Sequence, residues 1–188
     1  ITFFNPVAVS NLGKNDRNSN NLQNTFTLSY NVKPWIRVRE TVSFQFTGTK
    51  EPKFLPYNAI GADWLDYRVN MASEGNSLFS SVNTETQLSF NTPNDSSDHV
   101  LSGALTWITN QQGYEWMNIQ SNQTPSISIQ DPATNAQVNW IGGGSGQGRS
   151  LGALMNLNYK YKDKYMLQTI LRADAQSSFG ANHRWGLL

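Results

Sequence analysis

Few residues in this chain are of a type and spacing that could do chemistry. The run Ile141-Gly-Gly-Gly-Ser-Gly-Gln-Gly148 has the glycine density of a phosphate-cradling loop, whose backbone amides meet oxyanions at a helix N-terminus. No helix pattern and no Gly-Lys-Ser/Thr follows it. Arg149-Ser150-Leu151 opens a strand instead, so the glycines are expected to let a loop fold back. His99 and His183 lie far apart, in neither His-x-x-x-His nor Glu-x-x-His spacing, and offer no start to a metal site. Asp63 with Asp66, or Glu115 with a distant acid, has the chemistry of a glycosidase pair, but nothing selects these from ordinary loop carboxylates. Gly144-Ser145-Gly146 lacks the Gly-x-Ser-x-Gly spacing of a nucleophile elbow. No catalytic residue, metal or cofactor is expected.

Binding chemistry is better represented. Trp64, Tyr67, Tyr114, Trp116 and Trp140 sit in polar, glycine-rich surroundings, where exposed rings stack on sugars or grip apolar peptide side chains, or else pack loop on loop. With 14% charged residues and a net charge of +1, the chain has no basic field to concentrate nucleic acid, which is not expected as a partner. The absence of cysteine removes disulfides, thiolate metal sites and thiol nucleophiles together. Mean hydropathy is −0.50 and no window nears the roughly 20 apolar residues of a spanning helix. A β-barrel escapes that test, because its strands alternate apolar and polar residues. The opening Ile1-Thr2-Phe3-Phe4-Asn5-Pro6 does not read as a signal peptide, so any export signal is expected to lie upstream or to have been removed.

The elements that would hold these residues are strands. Phe26, Leu28, Tyr30 and Val32 alternate with Thr25, Thr27, Ser29 and Asn31. After Lys33-Pro34-Trp35, the residues Ile36, Val38, Val42, Phe44 and Phe46 alternate with Arg37, Arg39, Thr41, Ser43 and Gln45, with Glu40 intruding on the apolar face. Residues 24–47 therefore read as one hairpin turning at a proline, which cannot donate to a central ladder. A second pair is Thr84–Asn91 with Val100–Thr109, joined by turn formers at 92–98. A third is Leu151–Tyr161 with Tyr165–Asp174, turning at Lys162-Asp163-Lys164. Between the pairs, 48–83 and 110–150 are expected to be loops of roughly 35–40 residues, a length uncommon in compact soluble domains.

Short turns at one end, long excursions at the other and runs of about 9–11 residues describe an up-and-down antiparallel transmembrane barrel segment of about six strands. Tyr30, Trp35, Tyr159, Tyr161 and Tyr165 flank the short turns, where a membrane-interface girdle would lie. Arg37, Arg39, Gln45, Arg172 and Asp174 fall opposite the apolar stripes and are candidates to line a wet lumen. A soluble sandwich or jelly roll, burying the same stripes against a second sheet, fits the periodicity equally well.

The stretch from Asn156 through Tyr159-Lys-Tyr161, Tyr165-Met-Leu and on to Gly186 resembles the SusC/RagA family of TonB-dependent transporters. In that family alternate aromatics, a short turn and Tyr-Leu-Leu lead to Arg-x-Asp-Gly-Ser-Ser-x-Phe-Gly and then Asn-x-Arg-Trp-Gly. Arg172, Asp174, Ser177, Phe179, Gly180, Asn182, Arg184, Trp185 and Gly186 match; Ala175 and Gln176 depart from it. Asn5-Pro6 and the Pro34-Trp35 turn match less specifically.

The resemblance implies that 1–188 is part of a receptor barrel domain of roughly 22 strands, without plug, TonB box or remaining strands. It implies import of an oligosaccharide or oligopeptide across the outer membrane of a Bacteroidota-type bacterium, with glycan preferred. A SusD-like lipoprotein would act as lid, TonB as the energy source and outer-membrane lipid as surroundings; the glycine run would fold over the barrel mouth. The rivals are a secreted β-sandwich carbohydrate-binding module and a surface adhesin.

Overall fold

The structure, a computed structural model, describes residues 5–61, 63–93, 98–134, 138–162, 164–180 and 185–187. The expected residues 94–97, Asp163, Asn182, His183 and Arg184 lie outside them. After a short helix α1 (Pro6–Leu12), the chain is almost entirely strand: β1 (Lys14–Asn15), β2 (Asn18–Lys33), β3 (Ile36–Leu55), β4 (Met71–Asn91), β5 (His99–Ser121), β6 (Val138–Tyr161), β7 (Tyr165–Gln176) and β8 (Trp185–Leu187). One turn of helix, α2 (Tyr57–Ile60), follows β3.

Among the described residues these eight strands make one antiparallel sheet in which each of β2 to β7 pairs with the next, and β1 pairs with the far end of β3 through Lys14↔Phe54 and Asn15↔Lys53. The sheet is all-β and up-and-down, as the sequence predicts, and open rather than closed.

Two expectations change. The segments 48–83 and 110–150 are not loops throughout, since strands occupy most of them and the connections shrink to 56–70 and 122–137. Strands β3 to β6 run 20, 21, 23 and 24 residues, about twice what a tilted membrane strand requires. The physical reason is that alternation is visible only where one face is apolar and the other polar. Met71-Ala-Ser-Glu-Gly-Asn and Trp140-Ile-Gly-Gly-Gly-Ser-Gly pair as strands without such a contrast.

The described residues cluster into two compact units, and each of β2 to β6 contributes a stretch to both. The first comprises Ile1–Asn21, Phe46–Phe79 and Tyr114–Gly146. Its small core is Phe54, Ala59, Ile60, Val69 and Ala72. Helix α1 starts where the Asn5 side chain accepts from the Val7 amide at 3.1 Å, with Pro6 in its first turn. The two connections are tied beside this core. Asn70, wholly buried at φ +48°, donates from its side chain to the Thr124 carbonyl at 3.0 Å and accepts from the Tyr57 amide at 3.2 Å. The Gln123 amide donates to the Val69 carbonyl. Each buried backbone group met this way avoids an unpaired donor or acceptor.

The second unit comprises Leu22–Gln45, Ser80–Gly113 and Gln147–Leu188. Its β6–β7 register runs from Ser150↔Gln176 to Tyr161↔Tyr165 without a bulge. That puts Leu151, Met155, Leu157 and Tyr159 on one face with Leu171 and Leu167, and Asn156, Asn158, Arg172 and Asp174 on the other. The same division holds across β2 and β3. Phe26 and Phe44 meet edge to face at 6.3 Å, while Thr25–Ser43, Thr27–Thr41 and Asn31–Arg37 hydrogen-bond on the polar side. Glu40, on the apolar side, accepts from the Thr86 hydroxyl at 2.5 Å. Gly103 is the tightest point of this sheet, since a Cβ there would lie 2.6 Å from the Asn156 carbonyl oxygen.

Candidate functional site

The lumen candidates fall together on the polar face of the second unit. Arg37 donates from Nε to Asn31 Oδ1 at 2.9 Å, and strand alternation places Arg39 and Gln45 in the same row. Arg172 forks onto Asp174 two residues on, with Nε to Oδ2 at 2.7 Å and Nη2 to Oδ1 at 3.2 Å. Gly152 stands opposite Asp174 in the register, and a Cβ there would sit 3.0 Å from Asp174 Oδ1, so the glycine makes room for the carboxylate. The matching serine has a structural job as well. Ser177 accepts from the Arg149 amide through Oγ and donates its own amide to the Arg149 carbonyl, both at 2.9 Å, closing the end of the β6–β7 ladder.

The girdle candidates cluster at the short turns of the same unit. Tyr161 and Tyr165 stack at 6.4 Å, and His99 joins them, its Nδ1 2.6 Å from the Tyr159 hydroxyl and its ring 4.7 Å from Tyr161. Lys162 and Lys33 lie over Tyr161 and Trp35 at 5.5 and 5.4 Å. Tyr30 and Tyr165 are two-thirds exposed. Amphipathic rings with adjoining lysines are what a hydrocarbon–headgroup boundary selects. His99 was not singled out for this role by sequence, where nothing tied it to a tyrosine 60 residues away.

The five ligand candidates lie in the first unit but do not form one group. Trp64 and Tyr67 belong to the 56–70 connection. Trp64 meets Tyr57 edge to face at 5.4 Å, and Tyr67 lies under Arg68. Asp66 holds Arg68 by two side-chain hydrogen bonds, at 3.0 and 2.6 Å, and that bonding lowers the Asp66 pKa to about 2. Tyr114, Trp116 and Trp140, expected in loops, stand on β5 and β6. They are brought together with the glycine run, which is strand and therefore no anion cradle. A cavity of about 800 Å³ has lining side chains Phe46, Lys50, Glu115 and Met117 that alternate onto the opposite face, and it also touches Trp116 and Gly144 of this cluster. Lys50 is held there by Glu74 at 2.9 Å. Among the described residues no group of acids and histidines could hold a metal ion.

No protein-family model matches the chain. TonB-dependent receptor P39 of Formosa agariphila is 23% identical over 185 residues, which is 97% of this chain and 17% of that protein. A solved structure of the RagAB peptide transporter superposes with a TM-score of 0.82 at 14% identity, over 95% of this chain and 20% of the other. Structures of the RagAB peptide importer in its open-open and closed-closed states each give 0.73 at 12% identity, over 95% and 94% of this chain and 19% and 20% of theirs. The chain has the fold of a stretch of such a transporter's barrel wall, and it spans about one-fifth of the proteins it matches.

Proposed function

We propose that this chain is part of the wall and mouth of an outer-membrane active transporter that imports oligosaccharides or oligopeptides, drawing its energy from TonB and working with a SusD-like surface lipoprotein. The observation that carries the reading is the two-faced sheet of the second unit. One face is mainly apolar, interrupted by the Glu40–Thr86 pair, and ends in ringed tyrosines at the short turns; the other is mainly hydroxyls, amides and the Arg172–Asp174 fork, with Leu154 and Ile170 among them. Lipid solvates the first and water the second. The likeness to the Formosa receptor and to the RagAB structures supports it.

In this reading the protein resides in the bacterial outer membrane and changes no covalent bond of its substrate. The strand lengths carry the wall past the bilayer, and the 56–70 and 122–137 connections cap it on the outside, where a lipoprotein lid would dock. A β-sandwich binding module is disfavoured because the eight described strands lie in one sheet with no second sheet against the apolar face.

The test is expression of the full-length protein with and without TonB. Outer-membrane fractionation, heat-modifiable migration in gels and loss of oligosaccharide or oligopeptide uptake on TonB deletion are expected. Expressed alone, the 188-residue span should aggregate in buffer and be recovered with β-structure in detergent; a cooperative soluble monomer would overturn the reading.

A further inference from the structure

Four glycines of β6 fall within 142–146, and three of them, Gly142, Gly144 and Gly146, alternate onto one face. Each is covered by an aromatic ring. A Cβ on Gly146 would lie 2.5 Å from Tyr114 Cε1 and Cζ, one on Gly144 would lie 3.0 Å from Trp116 Nε1, and one on Gly142 would lie 2.4 Å from Trp140 Cζ2. Two rings come from β5 and one from β6 itself, yet they lie in order along one row. The absence of a Cβ is what lets each ring rest on the backbone.

Glycine inside a strand weakens it, and an aromatic neighbour laid across the gap repairs that weakness. Repair explains the inner face of each ring. It does not explain the outer faces, for Trp116, Trp140 and Tyr114 remain 44%, 48% and 54% exposed. Same-face positions on a strand are roughly 7 Å apart, so the row spans roughly 13 Å, the reach of a short chain of rings rather than of one.

The surroundings decide what would lie on it. Within this unit the same face carries Ser19 bonded to Thr49 at 3.1 Å, Asn21 bonded to Thr47 at 3.3 Å, and Asn118 beside Gly75. Of its charges, Arg17 and Glu51 pair at 3.3 Å, and Lys53, two residues beyond Glu51 on β3 and facing β1, stands two strands from β5 and three from β6, which carry the rings. Flat apolar rings among neutral amides and hydroxyls complement a ligand with apolar C–H faces and many hydroxyls. The rings and the amides and hydroxyls next to them carry no charge to meet the termini and charged side chains of a peptide or the carboxylates of a uronate.

We infer that Tyr114, Trp116 and Trp140, seated on Gly146, Gly144 and Gly142, form a stacking platform for a neutral oligosaccharide. The inference rests on the transporter reading, in which this face borders the lumen.

The test uses the full-length transporter in detergent, titrated by calorimetry with neutral hexasaccharides (glucan, xylan, mannan), uronate hexasaccharides and a mixed decapeptide pool. At least one neutral hexasaccharide should bind, and each of Tyr114→Ala, Trp116→Ala and Trp140→Ala should weaken it about tenfold, while Trp116→Phe retains most of the affinity. Gly146→Ala should also weaken binding, by lifting a side chain that can move, with circular dichroism unchanged. Glycan binding indifferent to all these variants would overturn the platform. Binding of peptide or uronate in place of neutral glycan, or of no probe at all, would overturn the ligand class. Fractionation and TonB dependence, measured separately on the same strain, report whether the transporter reading has failed instead.

Discussion

At the scale of single residues the fold depends on a few positions where no alternative side chain fits. Gly103 is one, because the atom a side chain would meet is the Asn156 carbonyl oxygen at 2.6 Å, part of the backbone and unable to rotate away. Gly103→Val should destabilise the sheet by about 1–3 kcal/mol in urea unfolding from lipid vesicles. Gly180→Ala, with nothing among the described residues within 4 Å of its Cβ, should leave the same curve unmoved. Asn70 is the other, joining two connections through one buried amide. Asn70→Ala leaves the Tyr57 amide and the Thr124 carbonyl without their partner and should cost about 1–3 kcal/mol. Faster proteolysis within 56–70 and 122–137 would report it.

At the scale of elements, the sequence is legible where a strand has two different solvents. Phe26 to Val32, Ile36 to Phe46 and Leu151 to Tyr161 announce themselves by alternation, and the structure pairs them as expected. The extensions 71–83 and 110–121 do not, because water-facing residues on both sides erase the contrast on which periodicity depends. The glycine run hides a strand for a related reason, having no side chains to alternate. A signal was nonetheless present: Trp140, Gly142, Gly144 and Gly146 recur at every second position, a strand period written in size rather than hydropathy. The aromatics of the candidate site were visible by type alone; what seats them was not.

The two solvents give a prediction for β2. Leu28→Arg should cost about 2–4 kcal/mol if that position meets the bilayer centre, whereas Ser29→Arg should cost little, as read by unfolding in vesicles. The 56–70 connection gives another. The Asp66 pKa is depressed to about 2 from 3.8, so its hold on Arg68 is complete above about pH 4 and is lost as pH falls through 2. Hydrogen exchange at the Arg68 amide, which donates to Asp66 at 2.8 Å, should rise over that window beyond the intrinsic pH trend, and Asp66→Asn should abolish the excess.

For the molecule as a whole, the sheet matches the open-open and closed-closed importer structures to the same degree. In the transporter reading proposed above, a wall segment is expected to hold its geometry while other parts move. Spin labels on single-cysteine pairs at Leu28 and Leu157, in a chain with no native cysteine, should keep one distance distribution with and without ligand. A second labelling experiment separates the faces. If the polar face lines a lumen as proposed, a membrane-impermeant maleimide should modify a cysteine at Asn158 and spare one at Leu157.

The glycine row also constrains how this protein can change over generations. Every replacement at the first or second base of a glycine codon adds a Cβ or ends the chain, while third-base changes are silent. Gly142, Gly144 and Gly146 can therefore drift only in their nucleotides without lifting a ring. Variation that retunes this surface is expected to arise in Tyr114, Trp116 and Trp140 rather than in the glycines beneath them.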